Sequence, residues 1–279
     1  MDDLSRILDR FSLSVRVFYS GILCGNSSDH ETERAGHLHV LRKGELKVTQ
    51  ADGSRLTVDQ PTVLFYPRPY RHRFQAKTNE GAEIVCAWVE FGSGVRNPLI
   101  LSLPDLLLVP LSAASELAPT VELLFSEAFG KQLGRQVAVN GLAEYFFVLL
   151  LRSAIRSQLV TSSVLMGLSD PRLAQAITAM HDRPQYPWSL KELARLAGMS
   201  RARFALHFHQ IAGVTPFEYL TDWRIGIAQT MLRKGESLKL IAPAVGYESS
   251  TALTRIFKQK LGLSPTEWLV ENRSVAESR

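Results

Sequence analysis

The chain has 279 residues, of which 46% are hydrophobic and 21% charged, with two cysteines and a formal net charge of +5. That length suits two ordinary domains, each able to build a core, and excludes extensive disorder. The N-terminus (Met1-Asp2-Asp3-Leu4) is acidic with no apolar stretch behind it, and the most apolar run, Phe146 to Leu151, lies between Glu144 and Arg152 and is too short to span a bilayer, so the expectation is a soluble, cytoplasmic protein without a secretory leader.

Residues 11 to 91 read as strands: Phe11 to Cys24, His37 to Gln50, Leu56 to Tyr66 and Ile84 to Phe91 are rich in β-branched and aromatic side chains. Turn signals separate them at Gly25-Asn26, Asp52-Gly53 and Pro67-Arg68-Pro69. Short strands so spaced predict a barrel or sandwich. After Pro98 the character changes. Pro119 to Lys131 and Gln136 to Gln158 have helical periodicity, and the second is apolar nearly all round from Tyr145 to Leu151. Such a helix is buried, either against its own barrel or against a second copy of the chain. Thr161-Ser162-Ser163 reads as a linker. Beyond it the charge changes: from Ser169 onward Lys and Arg number 15 against 10 Asp and Glu, whereas the earlier residues hold 17 of each. A localised basic surplus is the footprint of a nucleic-acid binder, although mildly basic solvated faces are common.

This last part contains an internal repeat. Leu193-Ala194-Arg195-Leu196-Ala197-Gly198-Met199-Ser200 recurs as Ile241-Ala242-Pro243-Ala244-Val245-Gly246-Tyr247-Glu248, at an offset of 48. One residue later in register, Phe208 matches Phe257, Gly213 matches Gly262, Pro216 matches Pro265 and Tyr219 matches Trp268. Each copy predicts a short helix with apolar residues at i, i+3 and i+4 (Leu190, Leu193, Ala194, Ala197; Leu238, Ile241, Ala242, Val245). A glycine (Gly198, Gly246) then turns the chain, and Ser200 or Ser249 caps a second helix. The second helices bury Phe204, Phe208 and Ile211, or Leu253, Phe257 and Leu261, and end at Gly213 and Gly262. This is the helix-turn-helix form, whose second helix can enter a major groove. Thr215 to Lys234 reads as one long helix between the copies.

The stretch from Asp170 to about Leu269, above all Ile241 to Trp268 (IAPAVGYESSTALTRIFKQKLGLSPTEW), resembles the DNA-binding domain of the AraC/XylS family of bacterial transcription regulators. The resemblance implies sequence-specific binding with two recognition helices in neighbouring major-groove segments. On the second helix Leu253, Ile256 and Phe257 go to the core, leaving Ser250, Thr251, Thr254 and Arg255 outward. Arg255 can pair bidentately with guanine, Ser and Thr can contact several base edges, and Lys258 and Lys260 suit phosphates. On the first, the positions that the family turns toward bases fall on Ala202, Ala205 and Leu206, which make no hydrogen bonds, flanked by Arg201, Arg203, His207 and His209. The second unit is therefore expected to carry more of the discrimination. Pro243 departs from the pattern, and is expected to shorten or kink its helix with an effect on stability only.

The strand-rich half resembles the cupin-type sensor domains that precede this DNA-binding domain in many of these regulators. His37 and His39 share one face of a strand, and Pro67 to His72 resembles the second cupin motif with Pro69 where glycine is usual. Cupin enzymes add a carboxylate soon after the paired histidines; here Lys43 and Gly44 stand there, with Glu45 one place on. Cys24, His39, His72 and Cys86 would make a closed nitrogen–sulfur site suited to Zn²⁺, with His37 in reserve. The competing reading is two buried free thiols and ordinary surface histidines.

The expected fold is α+β in two domains. Residues 1–160 form a cupin-like β-barrel with C-terminal helices, 161–168 a linker, and 169–279 an all-α domain with helix-turn-helix units at about 189–211 and 238–261. The expected function is sequence-specific transcription regulation in response to a small-molecule or metal signal, as a homodimer on double-stranded DNA, with RNA polymerase as a further partner and activation or repression left open. A cupin-type metal enzyme fused to a DNA-binding domain and a nonspecific DNA-coating protein are the alternatives.

Overall fold

The computed structural model describes residues 13–27, 35–91, 103–157 and 170–273, together with positions 5, 8, 100, 159 and 167. The chain divides into two compact units, one built on Leu13–Val95 and Leu103–Val160, the other on Thr161–Arg279. The linker expected at 161–168 lies, Gly167 excepted, outside the described residues.

The first unit opens with β1 (Ser14–Leu23), β2 (Gly25–Asn26), β3 (Gly36–Lys43), β4 (Leu46–Gln50), β5 (Arg55–Val58), β6 (Thr62–Tyr66), β7 (His72–Ala76), β8 (Ala82–Glu90) and β9 (Leu107–Pro110). They form two antiparallel sheets, ordered β1-β8-β3-β6-β9 and β2-β7-β4-β5. Leu41, Leu64, Ala82, Ile84 and Cys86 of the larger sheet meet Leu46, Val48, Val58, Phe74 and Ala76 of the smaller one in a common core. Strand alternation explains the sorting: β7 reads buried-exposed along its whole length, so His72, Phe74 and Ala76 point inward. In β3 every residue from Gly36 to Leu41 is buried, because the larger sheet is covered on both faces.

The second cover is α1 (Ala118–Phe129) and α2 (Arg135–Arg156). Phe147 of α2 meets Phe65 of β6 edge-on at 4.9 Å. By length and composition α2 could cross a membrane, but Phe146, Phe147, Leu150 and Leu151 are buried in the unit. The two burials weighed for this helix are thus resolved in part: one side rests on its own sheet. Val137 (79% exposed) and Tyr145 (55% exposed) stay on the surface.

The second unit is helical: α3 (Leu173–Asp182), α4 (Leu190–Leu196), α5 (Arg201–Ala212), α6 (Pro216–Arg233), α7 (Leu238–Ala244), α8 (Ser250–Leu261) and α9 (Pro265–Arg273). Ser200 and Ser249 accept from the backbone N–H of Arg203 and Ala252, and Thr215 and Glu218 form a capping box at the start of α6. Phe204, Phe208 and Phe257 are fully buried, each contributing about 2–3 kcal/mol of apolar transfer.

Some expectations shift. The run 37–50 breaks at Gly44 into β3 and β4, and the run 56–66 breaks around Pro61 into β5 and β6. β7 and β9 were not expected as strands. Ala212 takes the buried place assigned to Ile211, and Ile256 and Leu261 are half-buried. Pro243 does not shorten its helix: α4 and α7 each have 7 residues. It sits exposed in the last turn of α7, where the ring meets solvent.

Candidate nucleic-acid interface and histidine cluster

The two helix-turn-helix units repeat in structure as in sequence. α5 and α8 each have 12 residues, each is entered from a serine cap, and each ends at a glycine in the left-handed region (Gly213, φ 76°; Gly262, φ 80°). The expected reading residues lie on the solvent side. On α5, Arg201, Ala202, Arg203, Leu206 and His209 are exposed and Ala205 is half-buried. On α8, Thr251, Arg255 and Lys258 are exposed, with Ser250 and Thr254 half-buried beside them. The outward face of α5 is apolar at its centre, where Leu206 is 60% exposed, while that of α8 carries hydroxyls and a guanidinium.

Two side chains expected near phosphates are engaged within the protein. Lys260 Nζ pairs with Asp222 Oδ1 of α6 at 2.6 Å. His207 Nε2 lies 2.8 Å from Asp170 Oδ2, ahead of α3. Burial raises the Asp170 carboxyl pKa, but hydrogen bonds from the Leu173 and Arg172 amides and from His207 outweigh it and hold the group below its ordinary value. Neither pair was legible in the sequence, because each joins residues 37 or more positions apart.

In the first unit the structure brings three histidines together. His37 and His39 project from one face of β3, and His72 comes from β7 in the opposite sheet. One ring nitrogen from each lies within 4.8 Å of the others. All three are buried, which overturns the reading of them as surface residues. His72 Nδ1 lies 2.8 Å from the Tyr70 carbonyl, which only accepts, so the ring proton sits there and Nε2 faces His39 Nε2 at 2.8 Å. A histidine anchored in this way presents a fixed lone pair to a metal. Tyr66 stacks on His72 with centroids 4.4 Å apart, and Phe74 meets His39 edge-on at 4.7 Å. Burial, with Tyr70 nearby, pushes the Tyr66 hydroxyl pKa well up.

Of the expected metal set, His39 and His72 are in this group and Cys24 and Cys86 are not. Cys24 is exposed beyond the end of β1. Cys86 pairs with His39 in the β3–β8 register, but its thiol lies in the apolar core, where burial pushes its pKa far up and keeps it protonated. His37 takes the third place; its spacing of two from His39 on an alternating strand was the signal. Among the described residues no carboxylate joins the group. Glu45 instead lines a surface hollow of about 430 Å³ with Lys47, Gln75 and Lys77.

Comparison with known proteins agrees with this division. The profile of the cupin family matches residues 2–156, and that of a helix-turn-helix domain matches residues 193–270. The RCS-specific HTH-type transcriptional activator RclR of Escherichia coli is 30% identical over 243 residues, covering 85% of each chain. The chain belongs to the AraC-type family of transcription regulators with an N-terminal cupin domain. A second relative, the HTH-type transcriptional regulator AlkR of Acinetobacter baylyi, is 27% identical over 304 residues, covering 96% of this chain and 99% of its own. ToxT of Vibrio cholerae, in a crystal structure with unsaturated fatty acid bound, aligns over 92% of this chain and 94% of its own at 16% identity with a TM-score of 0.42, a likeness too distant to carry an argument. The relatives are named as regulators of transcription, and the AraC-type chain described here is a DNA-binding regulator.

Proposed function

We propose that this protein reads a bipartite DNA site with α5 and α8 and that a signal taken up by the cupin unit governs that reading. The observation that carries it is the pair of duplicated recognition helices, each with a buried aromatic face and an outward face free for a groove. Arg255, with Ser250, Thr251 and Thr254, supplies hydrogen-bonded base readout. Ala202, Ala205 and Leu206 touch thymine methyls, and Arg201, Arg203, His209 and Lys258 hold the backbone. Selection by the purified protein from random duplexes at moderate ionic strength tests this: an enriched sequence is expected, and recovery of an unselected pool would reject it. DNA and RNA polymerase are the partners, and the cytoplasm the compartment, that go with this reading.

The histidine group supports a metal-linked signal. Three buried nitrogens on two facing sheets suit Zn²⁺ or a neighbouring divalent transition metal. His37, His39 and His72 would hold the ion, and a Lewis-acidic position would remain for a donor atom of the effector. Elemental analysis should find about one metal ion per chain, and far less in a His39→Ala, His72→Ala variant. A metal-free wild-type protein would end this reading.

The exposed stripe of α2 supports a homodimer. Glu144 and Arg152 are exposed one turn either side of Val148, so an antiparallel pairing about Val148 sets each Glu144 against the partner's Arg152. Sedimentation should show E144R and R152E as monomers and the double exchange as a dimer. Three indistinguishable profiles would place the interface elsewhere.

A further inference from the structure

The two readers are joined by α6, and the spacing of the DNA segments they can occupy together depends on what fixes one against the other. One side chain in the middle of α6 reaches both. Arg224 Nε donates to the Pro184 carbonyl at 2.6 Å, and Nη2 donates to the Tyr186 carbonyl at 2.9 Å, on the loop that leads into the first unit. Its guanidinium carbon also lies 5.6 Å from the ring centroid of Tyr247, in the turn of the second unit. The turn itself is pressed against the same group. A Cβ on Gly246 would sit 2.8 Å from Arg224 Nη2 and 2.9 Å from Gln185 Cα. Backbone of the first unit's entry loop, the guanidinium and backbone of the second unit's turn are thus in one close-packed stack.

Duplication does not account for this. Gly198, the equivalent glycine of the first unit, has a similar positive φ (63° against 81°), yet a Cβ there would meet nothing within 4 Å. Each unit also has anchors on α6 of its own: Phe208 against Tyr219 on one side, Lys260 against Asp222 on the other. Those fix each reader to the helix, whereas Arg224 ties them to each other. A planar fork that donates to two carbonyls while stacking on an aromatic ring does what a lysine cannot.

We infer that Arg224 is a positioning residue that sets the base-pair spacing between the two segments of the site, without touching DNA. The inference rests on the proposal that α5 and α8 read DNA together. Without the fork, the entry loop and the Gly246 turn lose their common support, while the buried aromatic cores of both units are untouched.

The test uses the full-length protein and a duplex recovered from a random pool by the wild type, with versions carrying one base pair inserted or removed between the two protected segments. Wild type is expected to lose about tenfold or more in affinity for the altered spacings, the scale of a mismatched site. Arg224→Met should bind the original duplex more weakly, and its spacing penalty should shrink to about threefold or less. Arg224→Lys, which keeps charge and stem, carries the same expectation and serves if the methionine variant melts too low to assay. An unchanged spacing penalty in a folded variant, or a wild type indifferent to spacing, would overturn the inference. A wild type that enriches no sequence would instead overturn the DNA-reading proposal beneath it.

Discussion

The two helix-turn-helix units of this chain share their lengths, their glycine turns and their serine-capped second helices, and differ in nearly everything that faces outward. α5 offers solvent Ala202 and Leu206, while α8 offers Thr251 and Arg255. The first unit begins with a complete capping box between Ser189 and Glu192, whereas Ser237 makes no side-chain cap. The Gly198 turn stands in open space, and the Gly246 turn is wedged against Arg224 and Gln185. Duplication preserved what the helical corner needs to close and left the outer surfaces to diverge.

The sharpest way to break the comparison is at the turns. Both glycines have positive φ, so alanine strains either one. Gly198→Ala should cost about 1–2 kcal/mol, the left-handed penalty alone. Gly246→Ala adds a collision with backbone and should cost about 3 kcal/mol or more. Thermal melting of the two variants measures the gap, and equal losses would mean that the crowding at Gly246 is relieved at no cost. Next come the readers. Arg255→Ala should weaken binding to a selected duplex by about 1–3 kcal/mol and relax preference at one position, whereas Leu206→Ala should cost less than about 1 kcal/mol. Binding-site selection with each variant checks this, and unchanged preference at every position in Arg255→Ala would reassign that arginine to a phosphate. The smallest effect is at the caps. Ser189→Ala should lower stability by about 1 kcal/mol, and Ser237→Ala should change it little. Hydrogen bonds from the Ser189 hydroxyl and amide hold the Glu192 carboxyl pKa down to about 2, below its unfolded value. The contribution of the box is therefore complete above the ordinary carboxylate range and fades as pH falls from there toward about 2. Acid titration of Glu192→Gln against wild type should show a flatter profile for the variant.

The helical half was legible in the sequence because its landmarks are local. Glycines, caps, prolines and phenylalanines recur at fixed intervals, and each has a steric or hydrogen-bonding reason to stand where it does. The barrel was less so. β7 escaped notice because its alternation, His72-Arg73-Phe74-Gln75-Ala76, puts a charge and an amide among only three inward residues. The histidine group was half legible: the pair on β3 follows from alternation, but its meeting with His72 depends on the sheets facing each other. Cys24 and Cys86 stay outside the group because one is exposed at a strand end and the other is buried in the apolar core, a separation that depends on how the sheets fold. Arg224 gave no signal at all, since its partners are backbone carbonyls 38 and 40 residues away.

The tie of Lys260 to Asp222 has a thermodynamic consequence. Every phosphate that a protein neutralises releases condensed small ions into bulk, about 0.9 of an ion per contact on B-form duplex. A cation already held by a carboxylate releases none. On the proposed reading of DNA by α5 and α8, Lys260 therefore adds nothing to counterion release, and the salt dependence of binding falls short of what the tally of basic residues gives.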